Sequence, residues 1–289
     1  ILDGGNEVTM ENFWDLYDGF YRECRSVVVD IKKDALVFTP FKKFRNLNEA
    51  EETSYANVRE RIAKASCVEI SDKLDGSMQS ARFYDGKVQM AGSQSVNKEH
   101  LWRLADGYRM MMEQQNYQTM LEEHADKTFI FEYISAKDAH VVKYDTEGLF
   151  LIGVRDVNTG EEASYKEVLD YAAKYGVLAT KLFDKTLEEI LEELDDKLSS
   201  EAEGFVINID GFKVKIKYND YVTMHKMLSA ISSVNLIIQN IAEDRFDDLI
   251  AKVPNAYRDR VLKVSKVVFE YKNRTEAEIE DAFERAVKD

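Results

Sequence analysis

Glu69-Ile70-Ser71-Asp72-Lys73-Leu74-Asp75-Gly76-Ser77 decides how the rest of the chain is understood. An apolar run opens at Cys67 and leads to a lysine, and an Asp-Gly pair follows two residues later. The run predicts a strand over Cys67–Ile70, and Asp75-Gly76 predicts a sharp turn that holds Lys73 at the mouth of a cleft. Gly76 would let the backbone approach a ligand where a side chain would intrude. Taken alone, Lys-x-Asp-Gly is weak evidence, because about one protein in ten contains it by chance at ordinary residue frequencies. A surface lysine before a turn has the same four letters.

Three further stretches add weight. Val214-Lys215-Ile216-Lys217 spaces two lysines by two, so on a strand both leave one face while Val214 and Ile216 face a core. Ala202-Glu203-Gly204 sets a carboxylate beside a glycine at a strand entrance. Phe129-Ile130-Phe131-Glu132-Tyr133 carries a carboxylate through an apolar strand, where burying it without a partner is costly. Glu132 is therefore expected to accept a hydrogen bond or face a cation. Either acid alone reads equally well as an edge-strand residue facing water.

Outward from these motifs, strand-like runs recur at 26–29, 79–84, 87–90, 128–134, 149–154, 204–209 and 212–217. Asp85-Gly86 and Asp210-Gly211 predict two tight hairpins. Helical periodicity predicts helices over 98–124, 165–175 and 187–198. Past Tyr221 only helices are expected, over 222–242, 245–251 and 256–287. The fold class that follows is α+β: a domain of mainly antiparallel sheets flanked by helices over 1–220, then a small all-helical C-terminal domain over 221–289.

The 289 residues, 45% hydrophobic and 32% charged, suit a globular chain with a full core. A net charge of −15 argues against a cationic coat for nonspecific nucleic-acid binding, yet leaves room for lysines gathered in one cleft. Lys42-Lys43-Phe44-Arg45 and Lys213 to Lys217 are locally basic, whereas Glu188 to Glu203 and Glu276 to Asp289 are acidic. Cys24 and Cys67 stand far apart, and His100, His124, His140 and His225 are scattered, so neither a disulfide framework nor a zinc site is expected. The only prolines are Pro40 and Pro254. No apolar run approaches the ~20 residues of a membrane span and no signal-peptide pattern opens the chain, which makes a reducing cytoplasm the default. No obligate protein partner is expected, and a monomer is the simplest state.

Taken in order, Lys73-Leu74-Asp75-Gly76, Glu132, Glu203-Gly204 and Lys215-Ile216-Lys217 resemble the motifs of the covalent nucleotidyltransferase superfamily. Glu23-Cys24-Arg25-Ser26, Pro40-Phe41-Lys42-Lys43-Phe44-Arg45-Asn46-Leu47-Asn48-Glu49, Ile152-Gly153-Val154-Arg155 and Tyr221-Val222 narrow the likeness to ATP-dependent RNA ligases of the phage RNA ligase 1 (tRNA-repair) type, over about 20–225. The resemblance implies joining of RNA 5′-phosphate and 3′-hydroxyl ends, through a lysyl-AMP and then an AppRNA intermediate, in a bacterial or phage-infected cell. It implies Lys73 as nucleophile, Lys215 and Lys217 at the α-phosphate, and Arg25 and Lys43 at the β- and γ-phosphates. Glu132 would read the ribose, Glu203 would bind Mg²⁺ or Mn²⁺, Gly76 and Tyr221 would border the nucleotide, and Tyr133 is a candidate against adenine.

Two departures from the family pattern stand out. Met90-Ala91-Gly92-Ser93-Gln94-Ser95 lacks the basic residue that members carry near this glycine, leaving Arg82 or Lys98 as substitutes. Only 64 residues follow His225, so preference for tRNA is not carried over. No strand candidate after Tyr221 could build the OB barrel of DNA ligases and capping enzymes, which remain the alternative within the superfamily. A relic that binds ATP without turnover is the alternative outside enzymes.

Overall fold

The structure, a computed structural model, describes residues 2–3, 6–9, 12–96, 98, 101–138, 141–253 and 255–288; His100, His140 and Pro254 lie outside them. Two compact units make up the chain, Ile1–Tyr221 and Val222–Asp289.

In the first unit the strands are β1 (Leu2–Asp3), β2 (Asn6–Glu7), β3 (Val28–Asp30), β4 (Ala35–Phe38), β5 (Arg45–Asn46), β6 (Val68–Lys73) and β7 (Ser77–Tyr84). They continue as β8 (Lys87–Gly92), β9 (Lys127–Ile134), β10 (Gly148–Asp156), β11 (Leu182–Phe183), β12 (Gly204–Ile209) and β13 (Phe212–Lys217). The helices are α1 (Leu16–Glu23), α2 (Tyr55–Lys64), α3 (Trp102–Met112), α4 (Gln115–Glu123), α5 (Tyr165–Tyr175) and α6 (Leu187–Glu192), and α7 (Asn219–Ser232) begins before the second unit.

Two larger sheets carry the architecture. One runs β10-β9-β7-β8 and is antiparallel throughout; the other runs β11-β6-β12-β13-β5, with only β13 and β5 parallel. Alternation assigns each strand's faces. Phe129, Phe131 and Tyr133 of β9 pack with Leu104, Met111, Leu121 and Val168 of the helices behind the first sheet. Phe205, Ile207, Val214 and Ile216 of the second sheet join Val58 of α2 and Ile190 of α6. The remaining face of β13 is left to the lysines.

Both expected Asp-Gly hairpins form. Asp85 and Gly86 have φ of 54° and 73°, and Asp210 and Gly211 have 47° and 89°, the left-handed pair that a two-residue hairpin loop requires. Asp75-Gly76 behaves differently. β6 and β7 belong to different sheets, so the link between them crosses from one sheet to the other, and Gly76 has no positive φ. The expected helix over 98–124 is two helices, broken where Gln114 turns extended at φ −124° and ψ 106°. That over 187–198 stops at Glu192.

The second unit holds α8 (Val234–Ala242), α9 (Phe246–Lys252) and α10 (Asn255–Lys288), with Ile237, Ile241, Val253 and Val261 buried together. Ser233 interrupts the single helix expected over 222–242 and caps α8 by accepting from the Leu236 N–H. No helix among the described residues is long and apolar enough to cross a membrane.

Candidate active site

Lys73 ends β6, Gly204 opens β12 and Lys217 ends β13. Register sets the three side by side, with Gly204 opposite Lys73 on one flank and Lys217 on the other. Only glycine suits the middle position: its φ is +147°, and a Cβ would lie 2.0 Å from the Ile216 carbonyl oxygen. Glu203, one residue earlier and 3% exposed, accepts from both ammonium groups, from Lys73 Nζ at 2.6 Å and Lys217 Nζ at 2.8 Å. A carboxylate this buried is tolerable because it is paired twice.

Lys215, on the same face of β13 as Lys217, lies deeper. Burial, reinforced by the charges of Lys43, Lys73 and Lys217, pushes its amine down to about 7, with Glu49 opposing. Burial also lowers Lys43, helped by the charge of Arg25. Arg25 too is lowered by burial, against the attraction of Glu132. Crowding by cations thus falls on the Lys215 amine, two residues before Lys217 on β13.

A cavity of about 340 Å³, within the range of small-ligand sites, opens where the two sheets face each other. Lys73, Val206 and Lys215 line it from one sheet, Met78, Glu132 and Ile152 from the other, with Arg25 and Phe44 beside them. Gly76 lines it as well, and its lack of a side chain serves packing: a Cβ there would lie 2.4 Å from the Tyr133 carbonyl oxygen and 2.9 Å from Glu132 Cγ.

Several expected residues stand elsewhere. Tyr221 is 2% exposed and absent from the cavity wall; Lys217 Nζ sits 5.1 Å from its ring centre, and its hydroxyl donates to Asp75 at 2.9 Å. Tyr133 faces the helices, as its position next to Glu132 on a strand dictates, and donates to Asp106 at 2.7 Å. Lys43 lines a neighbouring cavity and not this one. Arg155, from the matched stretch Ile152-Gly153-Val154-Arg155, pairs with Glu23 at 2.6 Å and donates to the Pro40 carbonyl at 2.8 Å. Arg82 donates to the carbonyls of Ala125 and Leu36, and Lys98 lies over the Tyr108 ring, so neither lines the cavity.

No local pattern announces the role taken by Asp75. Its carboxylate is 6% exposed and accepts from the Val141 and Val142 amides as well as from Tyr221. It therefore fixes the sheet-to-sheet link behind Lys73, and only knowledge of contacts more than sixty residues away would have revealed it.

At the cleft between the two sheets a strand lysine is thus joined through a buried carboxylate to a second basic strand. Residues 23–221 match the family model described as RNA ligase, and the chain belongs to that family. It is 29% identical over 264 residues to a Thermovibrio ammonificans protein named an RNA ligase, covering 84% of this chain and 65% of the relative. It is 25% identical over 248 residues to a protein of Autographa californica nuclear polyhedrosis virus named a bifunctional polynucleotide kinase/RNA ligase, covering 81% and 35%. The chain thus spans less than two thirds of these relatives. The Naegleria gruberi RNA ligase solved with ATP and Mn is similar at TM-score 0.47 and 18% identity, over 59% of this chain and 55% of that one. Solved with PPi, it matches at TM-score 0.45 and 18% identity, over 58% and 55%.

Proposed function

We propose that this chain is an ATP-dependent RNA ligase in which residues 1–220 transfer adenylate and the helices of 221–289 serve as an appended domain. The observation that carries the proposal is the Lys73–Glu203–Lys217 bridge, whose Lys73 lines a cavity of about 340 Å³ while Glu203 and Lys217 stand outside its wall. In the first step Lys73 Nζ, its proton released to water, attacks the α-phosphorus of ATP, the N–P bond forms, and the P–O bond to pyrophosphate breaks. In the second, a 5′-phosphate oxygen of RNA attacks that phosphorus and the electron pair of the N–P bond returns to Lys73. In the third, an RNA 3′-hydroxyl displaces AMP from AppRNA and the strands are joined.

Each cation has a part in this scheme. Lys215 and Lys217 meet the α-phosphate, Arg25 and Lys43 the β- and γ-phosphates, and Glu132 the ribose hydroxyls, where charge-assisted donors stabilise developing phosphate charge. Among the described residues no three His, Cys, Asp or Glu side chains gather as a ready metal cage. A Mg²⁺ or Mn²⁺ that keeps its waters needs only one or two carboxylates plus phosphate oxygens, and Glu203 fits as that carboxylate. Such an ion would supply neutralising charge on the phosphates; Lys73 would then exchange its bond to Glu203 for the nucleotide. RNA repair, tRNA included, in the cytoplasm of a bacterial or phage-infected cell is the setting we favour.

Mixing the protein with α-labelled ATP and magnesium tests the reading: an acid-labile protein–AMP adduct is expected, and transfer of GMP or no transfer refutes it. A pH effect accompanies binding. At pH 8 the Lys215 amine, pushed down to about 7, is mostly neutral, and arriving phosphates favour its ammonium form. ATP binding at pH 8 should take up as much as about one proton, and less at pH 6 where Lys215 already carries its charge. Calorimetry in buffers of differing ionisation enthalpy reads this directly. A binding heat independent of buffer at pH 8 would contradict it.

A further inference from the structure

Beside the nucleotide cavity lies a second one of about 350 Å³, bounded by Phe13, Trp14 and Tyr21 together with Arg25, Ser93 and Gln94. Arg25 and Ser93 line both cavities, so the two adjoin. Phe13 and Tyr21 are stacked at 4.8 Å and 4°, and Trp14 meets Phe13 edge-on at 5.1 Å. No carboxylate lines the cavity among the described residues, although the chain as a whole is strongly acidic. Lys43 Nζ lies 5.8 Å from the Trp14 ring centre. Ser26 donates to the Ser93 carbonyl at 2.8 Å, tying this segment to the end of β8.

The same segment exposes more rings than a soluble surface needs. Tyr17 and Phe20 are each 60% exposed and Phe13 36%. Tyr17 and Asp18 hold left-handed backbone at φ 52° and 53°, a strain found where function keeps it. Flat rings for stacking, a guanidinium for phosphate and amide or hydroxyl groups for base edges are what unpaired nucleotides require.

We propose that this aromatic cavity receives the first unpaired nucleotide of the RNA strand that carries the 5′-phosphate. The inference rests on the ligase reading above, and the choice of strand follows from in-line displacement. In the first step Lys73 enters and pyrophosphate leaves on the opposite side; in the second Lys73 leaves, so the RNA phosphate enters where pyrophosphate stood. Arg25 and Lys43 mark that side, since Arg25 lines both the nucleotide cavity and the aromatic one and Lys43 stands beside Trp14. A strand whose 5′-phosphate rests beside Arg25 has its first base within the cavity that Arg25 shares.

The test uses the whole chain and a short single-stranded oligoribonucleotide with a 5′-phosphate and a 3′-fluorophore, titrated by anisotropy. Phe13→Ala should weaken binding about tenfold, the loss of one base–ring stack, and Phe13→Tyr should bind as the original does. Adenylylation by ATP should be equal in all three. In a Trp102→Phe background, Trp14 emission should be quenched by the oligoribonucleotide and not by ATP. Unchanged affinity of Phe13→Ala would assign the rings to a protein partner and overturn the proposal. So would an equal loss in Phe13→Tyr, unaltered Trp14 emission, or no binding by the unsubstituted chain. Failure of the ligase reading itself shows separately, as absence of the AMP adduct before RNA is added.

Discussion

Lys73→Ala should yield no protein–AMP adduct at all, under conditions where the unsubstituted chain is labelled to completion. The expected effect is total because the amine forms the bond; no neighbour replaces it. Lys215 has the lowered amine, but its partner across the ladder is Val206 and it lies on the other flank of β12 from Lys73. The fold should survive. Glu203 keeps Lys217 at 2.8 Å, and Lys73 is only partly buried, so the lost pair is worth about 1 kcal/mol or less. Labelling that persists in Lys73→Ala would mean that another side chain is the nucleophile. A collapsed melting temperature would mean that Lys73 is structural.

Glu203→Ala has the next largest effect expected. The variant leaves two ammonium groups facing each other at the end of adjacent ladders with their common partner removed. Adenylylation should fall by roughly 100-fold, the usual worth of one preorganised electrostatic partner. Stability should fall by about 1–3 kcal/mol: less than for a fully buried pair, because Lys73 and Lys217 reach solvent. Single-turnover labelling across a magnesium titration measures the first, and urea unfolding the second. Rates that match the unsubstituted chain at every magnesium concentration would remove Glu203 from the mechanism.

What the sequence revealed of this site was what local periodicity encodes. Lys215 and Lys217 share a face because strands repeat every two residues, and Asp85-Gly86 and Asp210-Gly211 close hairpins because that dipeptide tolerates left-handed backbone. Tyr133 could have been set aside by the same rule, since it follows Glu132 on one strand. Long-range choices left no such mark. Nothing around Leu74-Asp75-Gly76 says that the chain passes to another sheet, and that choice rests on Asp75 meeting Val141, Val142 and Tyr221. The break at Glu113-Gln114 was equally hidden, because the apolar pattern continues through it without Gly or Pro. Likeness alone places Tyr221 at the nucleotide, and no local pattern announces its hydrogen bond to Asp75 beneath Lys217.

The two ends of the Lys73–Glu203 bridge lie 130 residues apart along the chain. Each hairpin can close early on its own, yet a chain with every hairpin made and β6 not yet paired to β12 has no nucleophile beside a carboxylate. Loop entropy delays such distant encounters until the local elements are in place. Chemical competence is therefore a late milestone on the way to the native state, and a ribosome-bound fragment ending before β12 would hold the attacking lysine in an inert form.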